Sequence, residues 1–308
     1  MMKEKPDSGT SVILPTIHPV DAINDISNQL EDNDELIVVC DNERNPVAEI
    51  DFGSKSQVRL IEAGEPESCS GKANAIAAGM KAAENQWIAW TDDDFEHKDD
   101  WLKTLKQGCE EYGAASELPF HISKNKLGCL SESVLAAAML ATYLDNQCWG
   151  GSLIFDRNLL DEEEFLDDLT STISDDVLLG EYLDFKTIRS FREVRVDSNF
   201  EETVERGVRF LQIVRNHRPT ETLLLTFVSF IIAFLLISNP LLGFIITNLA
   251  FLGVYMFFNK LRPTFVLSYL SLIVLPFFTL YSLNRSKFEW AGRKYKFNSK
   301  LDVEVVGD

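Results

Sequence analysis

The sequence predicts an α/β fold, a mostly parallel sheet with helices on both faces, followed by a C-terminal helical membrane domain. Three observations predict it. Short apolar runs rich in β-branched residues recur in the N-terminal part, stretches with helical spacing lie between them, and three long uncharged apolar segments follow Arg218.

SVILPT (11–16) and ELIVVCD (35–41) are continuous apolar runs bounded by Pro, Asn and Asp. That is the pattern of strands buried on both faces, as in a parallel sheet. Between them DAINDISNQL places Ile23, Ile26 and Leu30 on one helical face, so a βαβ crossover is expected. VRLIEAG (58–64) reads as a short strand, SGKANAIAAGMKAAE as an Ala-rich helix opened by Ser70, and QWIAWT (86–91) as another strand. In an open α/β sheet, ligands collect at the carboxyl ends of the strands. Asp41 and the cluster Asp92, Asp93 and Asp94 fall there.

The apolar segments are 222–238, 241–258 and 264–283. A bilayer span needs about 20 apolar residues, with a lower limit near 17. Arg206, Arg209, Arg215 and Arg218 precede the first segment, and the uncharged Ser238, Asn239 and Pro240 follow it. By the positive-inside rule the N-terminal domain is expected in the cytoplasm, on a multi-pass protein of the cell membrane. Lys260 and Arg262 fit a return to that side. Three full spans would place outside a tail that holds Arg285, Lys287, Arg293, Lys294, Lys296 and Lys300. One segment is therefore expected to be re-entrant or interfacial, and the third, with Pro276 inside it, is the candidate. The expected organisation is a cytoplasmic catalytic domain (1–205), a basic interfacial segment (206–221), a membrane domain (222–283) and a basic tail (284–308).

A chain of 308 residues can bury one large core or two smaller ones. The formal net charge of −19 argues against a nucleic-acid partner, because phosphate backbones are bound through basic stripes. Cys40, Cys69, Cys109, Cys129 and Cys148 show no CxxC or His-rich spacing, so neither a zinc site nor a disulfide framework is expected. The opening MMKEKPDSGTS is polar, and no signal peptide or anchor is expected in it. His18, His97, His121 and His217 are scattered; His97, three residues past Asp94, is the one to test.

Two readings of WTDDDFEH (90–97) stand side by side. Like charges at a strand end are costly unless a cation sits among them, and Asp92 with Asp94 can present oxygens to one Mg²⁺ or Mn²⁺. Alternatively, the acids open a helix, where the macrodipole favours them.

With these motifs in order, the sequence resembles family 2 of the inverting glycosyltransferases, and within it the membrane-bound branch of ceramide glucosyltransferase and the hopanoid-related enzymes. The resemblance runs from Ser11 to about Val303. It implies a GT-A nucleotide-diphosphosugar domain, in which Pro15, Asp41, Lys72 and Asp92 serve the donor. Asp92 and Asp94 would form the DxD-type site for a divalent metal. WGGSLIFDRNLL (149–160) resembles the acceptor-side strand and turn, with Gly151 admitting the sugar. ISDDVLLGEYL (173–183) resembles the acidic pair that carries the catalytic base, by position Asp176, with Asp175 in place of the usual Glu. Taken alone, the same pair reads as a helix cap and first turn. ERGVRFLQIVRNHRP (205–219) resembles the (Q/R)xxRW element and admits two registers. Arg206, Arg209 and Phe210 keep an aromatic in the last place and are preferred over Gln212, Arg215 and Asn216. Phe for Trp at 210 departs from the pattern, and membrane anchoring competes as the role of these arginines. FEWAGRKYKF (288–297) resembles the closing W-x-G-R-x-Y segment.

The function implied is transfer of a sugar, from a nucleotide-diphosphate donor, to a lipid hydroxyl at the cytoplasmic face of the bilayer. Uridine is implied by the resemblance only. The alternatives are a polyprenyl-phosphate acceptor, which needs no general base, and a non-catalytic membrane scaffold of the same fold.

Overall fold

A computed structural model describes residues 9–52, 56–196 and 199–306. Residues 1–8 of the polar opening lie outside the described residues. By packing, the chain divides into two units: residues 1–118 with 145–192, and 119–144 with 193–308.

The first unit begins β1 (Thr10–Pro15), α1 (Asp21–Ser27), β2 (Glu35–Cys40), β3 (Val58–Glu62), α2 (Gly71–Ala82), β4 (Trp87–Thr91) and α3 (Trp101–Tyr112). β5 (Ala114–Ile122) follows and runs on past the unit's boundary at Leu118 into α4 (Lys126–Leu144) of the second unit. The chain then returns as β6 (Ser152–Asp156), α5 (Glu162–Leu169), α6 (Asp175–Tyr182) and β7 (Lys186–Arg195). The strand order is β3-β2-β1-β4-β6-β5-β7. β1 pairs in parallel with β2 and with β4, and β2 with β3, whereas β6 runs antiparallel to both β4 and β5.

The apolar runs explain why this sheet forms. Every residue of β2 and β4 is buried, as is β1 up to Leu14, because helices cover the sheet and leave no polar face. Trp90 anchors the core, edge-on to Phe155 and stacked on Phe165. Ser70 caps α2, its hydroxyl accepting the Ala73 N–H at 3.0 Å. Gly64, at a φ of +79°, makes the turn that brings the chain from β3 to this cap, a backbone conformation that favours glycine. Parallel pairing sets the carboxyl ends of β1, β2 and β4 along one edge, with the start of α2 following β3 there.

A buried ion pair fixes β5 to β7 within this unit. Glu117, fully buried, accepts two hydrogen bonds from the Arg192 guanidinium at 2.7 and 2.6 Å and a third from the Ser152 hydroxyl at 2.7 Å. Trp101 Nε1 donates to the same serine at 2.8 Å. With every polar group engaged, the charges are tolerable in the interior.

The second unit contains α4, α7 (Phe200–His217), α8 (Pro219–Ser238), α9 (Pro240–Phe257), a 3₁₀ turn (Pro263–Leu267) and α10 (Ser268–Leu283). It closes with a three-stranded antiparallel sheet of β8 (Lys287–Trp290), β9 (Arg293–Ser299) and β10 (Asp302–Val306). Four helices among the described residues are long and apolar enough to cross a membrane: 126–144, 219–238, 240–257 and 263–283. The last three coincide with the segments expected from sequence. The first has no counterpart in that reading. α10 continues through Pro276 as one helix. Leu224, Phe227, Phe234, Leu242, Ile246 and Phe277 are among many large apolar side chains exposed on α8, α9 and α10.

Candidate active site

The three aspartates at the end of β4 divide in their directions. Asp93 turns back to β1, where its Oδ2 accepts the Thr16 hydroxyl at 2.6 Å, and burial pushes its carboxyl above the ordinary range. Asp92 turns toward α2 and lies 2.6 Å from Lys72 Nζ through its Oδ1. Asp94 is exposed on the same turn.

Lys72 stands in the first turn of α2, immediately after the Ser70 cap, so helix geometry carries its ammonium to the strand edge. It also lies 3.3 Å from Asp175 Oδ2, on the first turn of α6. Burial opposes the lysine charge, but Asp175, Asp92 and Asp176 outweigh that and hold the ammonium protonated beyond the ordinary lysine range. Asp175 is 3% exposed. Burial pushes its carboxyl up to about 7; Lys72 counters this, and Asp176 and Asp92 add to it.

Asp176, beside it, is half-buried and held by hydrogen bonds. Its Oδ2 accepts the Gly150 N–H at 3.0 Å, and its Oδ1 accepts the Ser174 hydroxyl at 2.7 Å and the Val177 N–H at 2.8 Å. A carboxylate has about four lone-pair sites, so Oδ2 keeps capacity for one further donor.

The glycine pair closes the cluster. A Cβ on Gly150 would sit 2.6 Å from Asp175 Oδ2 and 3.1 Å from Lys72 Nζ. A Cβ on Gly151 would sit 2.2 Å from the Trp149 ring and 2.7 Å from Asp92 Oδ2. Only glycine permits this approach of backbone to carboxylates. The Gly151 carbonyl accepts the Asp92 N–H at 3.2 Å and the Thr91 hydroxyl at 3.1 Å, which ties the loop to the aspartate turn. Behind the tie stands His97, 2% exposed, its Nε2 2.6 Å from Thr91 Oγ1. Burial, then the charge of Arg192, hold His97 down to about 3. It is therefore neutral at pH 7, and the Thr91 bond to Gly151 assigns its proton to Nε2.

Of the residues singled out from sequence, Lys72, Asp92, Gly151, Asp175 and Asp176 come together in this cluster. Pro15 ends β1, and Asp41, buried, follows β2 on the same edge. Arg206, Arg209 and Phe210 belong to the second unit, on α7. There the Arg209 guanidinium covers the Trp290 ring at 4.0 Å, Phe210 is 39% exposed, and burial with the charges of Arg206 and Arg209 holds His121 down to about 4. In the alternative register, Gln212 and Arg215 spend donors on the carbonyls of Ser282, Arg285 and Leu283. Thr16, Thr91, Trp149 and Ser174 lie inside the motifs read from sequence but were given no role there, and each touches the cluster.

The donor chemistry of the aspartate turn fits a divalent cation. Mg²⁺ and Mn²⁺ take one or two carboxylates and complete their shell with phosphate oxygens and water. Among the described residues no group of three His, Cys, Asp or Glu side chains is arranged to hold a metal by itself.

Residues 19–128, which include Asp41, Lys72 and the three aspartates, match the model described as Glycosyl transferase family 2. The chain carries a glycosyltransferase domain. No curated protein matches this transferase. Among solved structures it is similar to glucosyl-3-phosphoglycerate synthase of Mycobacterium tuberculosis, at 17% identity and a TM-score of 0.42, over 69% of this chain and 81% of that one. The same enzyme in complex with Mn²⁺, uridine diphosphate and phosphoglyceric acid gives 16% identity and a TM-score of 0.39, over 67% and 78%. Mannosyl-3-phosphoglycerate synthase of Rubrobacter xylanophilus gives 12% identity and a TM-score of 0.42, over 65% and 70%.

Proposed function

We propose that the transferase moves a sugar from a nucleotide-diphosphate donor, a uridine one by the family resemblance, to a hydroxyl of a membrane lipid, with inversion at the anomeric carbon and at the cytoplasmic face. The observation that carries the reading is the cluster of Lys72, Asp92 and Asp175 beside the hydrogen-bonded Asp176, under two glycines at the carboxyl edge of the sheet.

Each part has a chemical task in this reading. Asp176, oriented by Gly150, Ser174 and Val177, takes the proton from the acceptor hydroxyl as its oxygen attacks the anomeric carbon. The bond from that carbon to the donor's phosphate oxygen breaks on the opposite face, and the nucleotide diphosphate departs with the electron pair. Lys72 supplies a fixed positive charge toward the leaving group. A Mg²⁺ or Mn²⁺ held by Asp92 and Asp94 would add charge neutralisation for the diphosphate. Gly150 and Gly151 leave room where a side chain would meet the carboxylates. Pro15 and Asp41 are proposed for the nucleotide end of the donor, and Arg206 and Arg209 for its phosphates, on the strength of the motifs. Phe210 is proposed for the acceptor side on the same basis.

The apolar helices support the lipid acceptor, because exposed leucine and phenylalanine side chains on α8 to α10 are stable against acyl chains and unstable against water. The domain organisation read from sequence, with catalysis on the cytoplasmic side of a multi-pass membrane segment, belongs to the same proposal. The test supplies labelled nucleotide sugars with Mn²⁺ to the protein in liposomes of host lipids. Label that enters the organic phase supports the reading. Label transferred only to water-soluble acceptors contradicts it.

A further inference from the structure

The segment 149–151, which leads into β6, carries a single side chain, the Trp149 indole, and no step of the proposed displacement uses it. Its place is set by contacts within the first unit. A Cβ on Gly151 would lie 2.2 Å from Cζ2 and 2.5 Å from Cε2 of the indole, and 2.7 Å from Asp92 Oδ2. Cε2 is bonded to Nε1, so the edge of the ring that carries the N–H borders Gly151 beside the Asp92 carboxylate. The side chain is half-buried, and its Nε1 has no hydrogen-bond partner among the described residues. An enclosed indole N–H ordinarily finds a partner, and a ligand over this loop would enclose it.

The ring is held from behind. The Trp149 backbone N–H donates to the Ser116 hydroxyl at 2.9 Å, and its carbonyl accepts the Ser152 N–H at 3.1 Å. Phe95, 8% exposed, tilts against the indole with centroids 5.4 Å apart. His97 lies 4.2 Å from Phe95, and Trp101 meets His97 edge-on at 4.8 Å. Trp101 is fixed in turn by its Nε1 bond to Ser152, the residue after Gly151. The column of rings thus closes on the loop from which it starts, and the indole is in place before a ligand arrives. Little ordering cost is left for binding.

Displacement with inversion needs the anomeric carbon in line between the attacking oxygen and the departing phosphate oxygen. In the reading proposed above, the first lies at Asp176 and the second on the Asp92 side. The glycine pair reaches both carboxylates: the Gly150 N–H donates to Asp176 Oδ2 at 3.0 Å, and Gly151 borders Asp92 Oδ2. A sugar held between them passes over the pair, and the indole is the wall at its Asp92 end. An indole suits a sugar, because its face packs on C–H groups and its N–H donates to a hydroxyl oxygen. We infer that Trp149 is a binding residue for the transferred sugar of the donor and adds nothing to the hold on the nucleotide. This inference rests on the proposed function and supplies a contact that it lacks.

Titration of the full chain with uridine diphosphate glucose and with uridine diphosphate, each with Mn²⁺, tests it. Trp149→Phe keeps an aromatic ring against Phe95 and removes the N–H. Its affinity for the sugar nucleotide is expected to fall by about threefold to tenfold, the value of one hydrogen bond, while that for uridine diphosphate stays at the parent value. The absence of a selective loss, whether both affinities fall together or neither does, overturns the inference and leaves the proposed function standing. A parent chain that binds neither ligand removes the proposed function, and the inference falls with it. Should the variant fail to fold, the unaltered chain is oxidised with N-bromosuccinimide and the modified tryptophans are located by mass spectrometry. Protection of Trp149 by the sugar nucleotide beyond that given by uridine diphosphate supports the inference, and equal protection overturns it.

Discussion

Lys72 Nζ bridges Asp92 Oδ1 at 2.6 Å and Asp175 Oδ2 at 3.3 Å, joining the aspartate turn of β4 to the first turn of α6. One ammonium thus sets the distance between the proposed diphosphate side of the cluster and the proposed base side. It is also the only cation among the causes that shift Asp175. Lys72→Met leaves the carboxylates to repel each other and removes a charge-assisted bond worth about 1.5–3 kcal/mol. Titration calorimetry with uridine diphosphate and Mn²⁺ is expected to show affinity lower by roughly tenfold to a hundredfold. Unchanged affinity would remove Lys72 from the donor site.

The aspartate triplet separates in a substitution series. Asp93 is engaged by Thr16 and turned away from Lys72, whereas Asp92 faces the lysine and Asp94 is exposed on the same turn. Asp92→Asn and Asp94→Asn are expected to weaken Mn²⁺-dependent turnover by about a hundredfold, the order of a few kcal/mol of lost charge stabilisation. Asp93→Asn is expected to keep its Mn²⁺ response. An equal loss in all three variants counts against the division.

Gly151→Ala places a methyl group 2.2 Å from the Trp149 ring and 2.7 Å from Asp92 Oδ2. Overpacking of this kind costs about 1–3 kcal/mol. A lower thermal midpoint together with weaker donor binding is expected in differential scanning calorimetry and titration. An alanine variant indistinguishable from the parent in both would show that the loop has slack.

His97 makes stability depend on pH. Its folded value, about 3, lies below the ordinary histidine value of about 6.5, so the unfolded chain binds the extra proton between them. The contribution is complete above about pH 6.5 and is lost as pH falls toward 3, with a slope of at most about 1.4 kcal/mol per pH unit. His97→Gln can keep a donor toward Thr91 and cannot charge. Urea unfolding at pH 7 and pH 5 is expected to show a smaller loss for the variant than for the parent. Parallel losses would mean that His97 is not the titrating group.

The sheet was legible where strands are local and buried on both faces. SVILPT, ELIVVC and WIAWT needed no alternation to be recognised, and their ends placed Asp41 and Asp92 on one edge. The helix reading of Asp175 and Asp176 holds, since both stand in the first turn of α6, and Asp175 also lies 3.3 Å from Lys72. The reversal of β6 was not legible, because pairing direction is decided by partners far away in sequence. The helix 126–144 was passed over because a lone Lys and Glu and a run of alanines interrupt its apolar pattern. The tail read as a basic peptide and folds as a sheet, since its buried Phe288, Tyr295, Phe297 and Val303 are spaced too widely to mark a core. His97 and Glu117 owe their partners to tertiary contacts, for which the chain carries no local pattern.

Asp176→Asn tests the central claim most directly. The substitution keeps the shape and one acceptor oxygen, for either the Gly150 or the Val177 N–H, and removes the proton acceptor. In liposomes of host lipids with Mn²⁺ and labelled nucleotide sugar, general-base loss is expected to lower glycolipid formation by about 10²- to 10⁴-fold with donor affinity retained. Glycolipid formed at the parent rate by the variant would contradict proton removal from a lipid hydroxyl by Asp176, and would point to an acceptor that is already anionic.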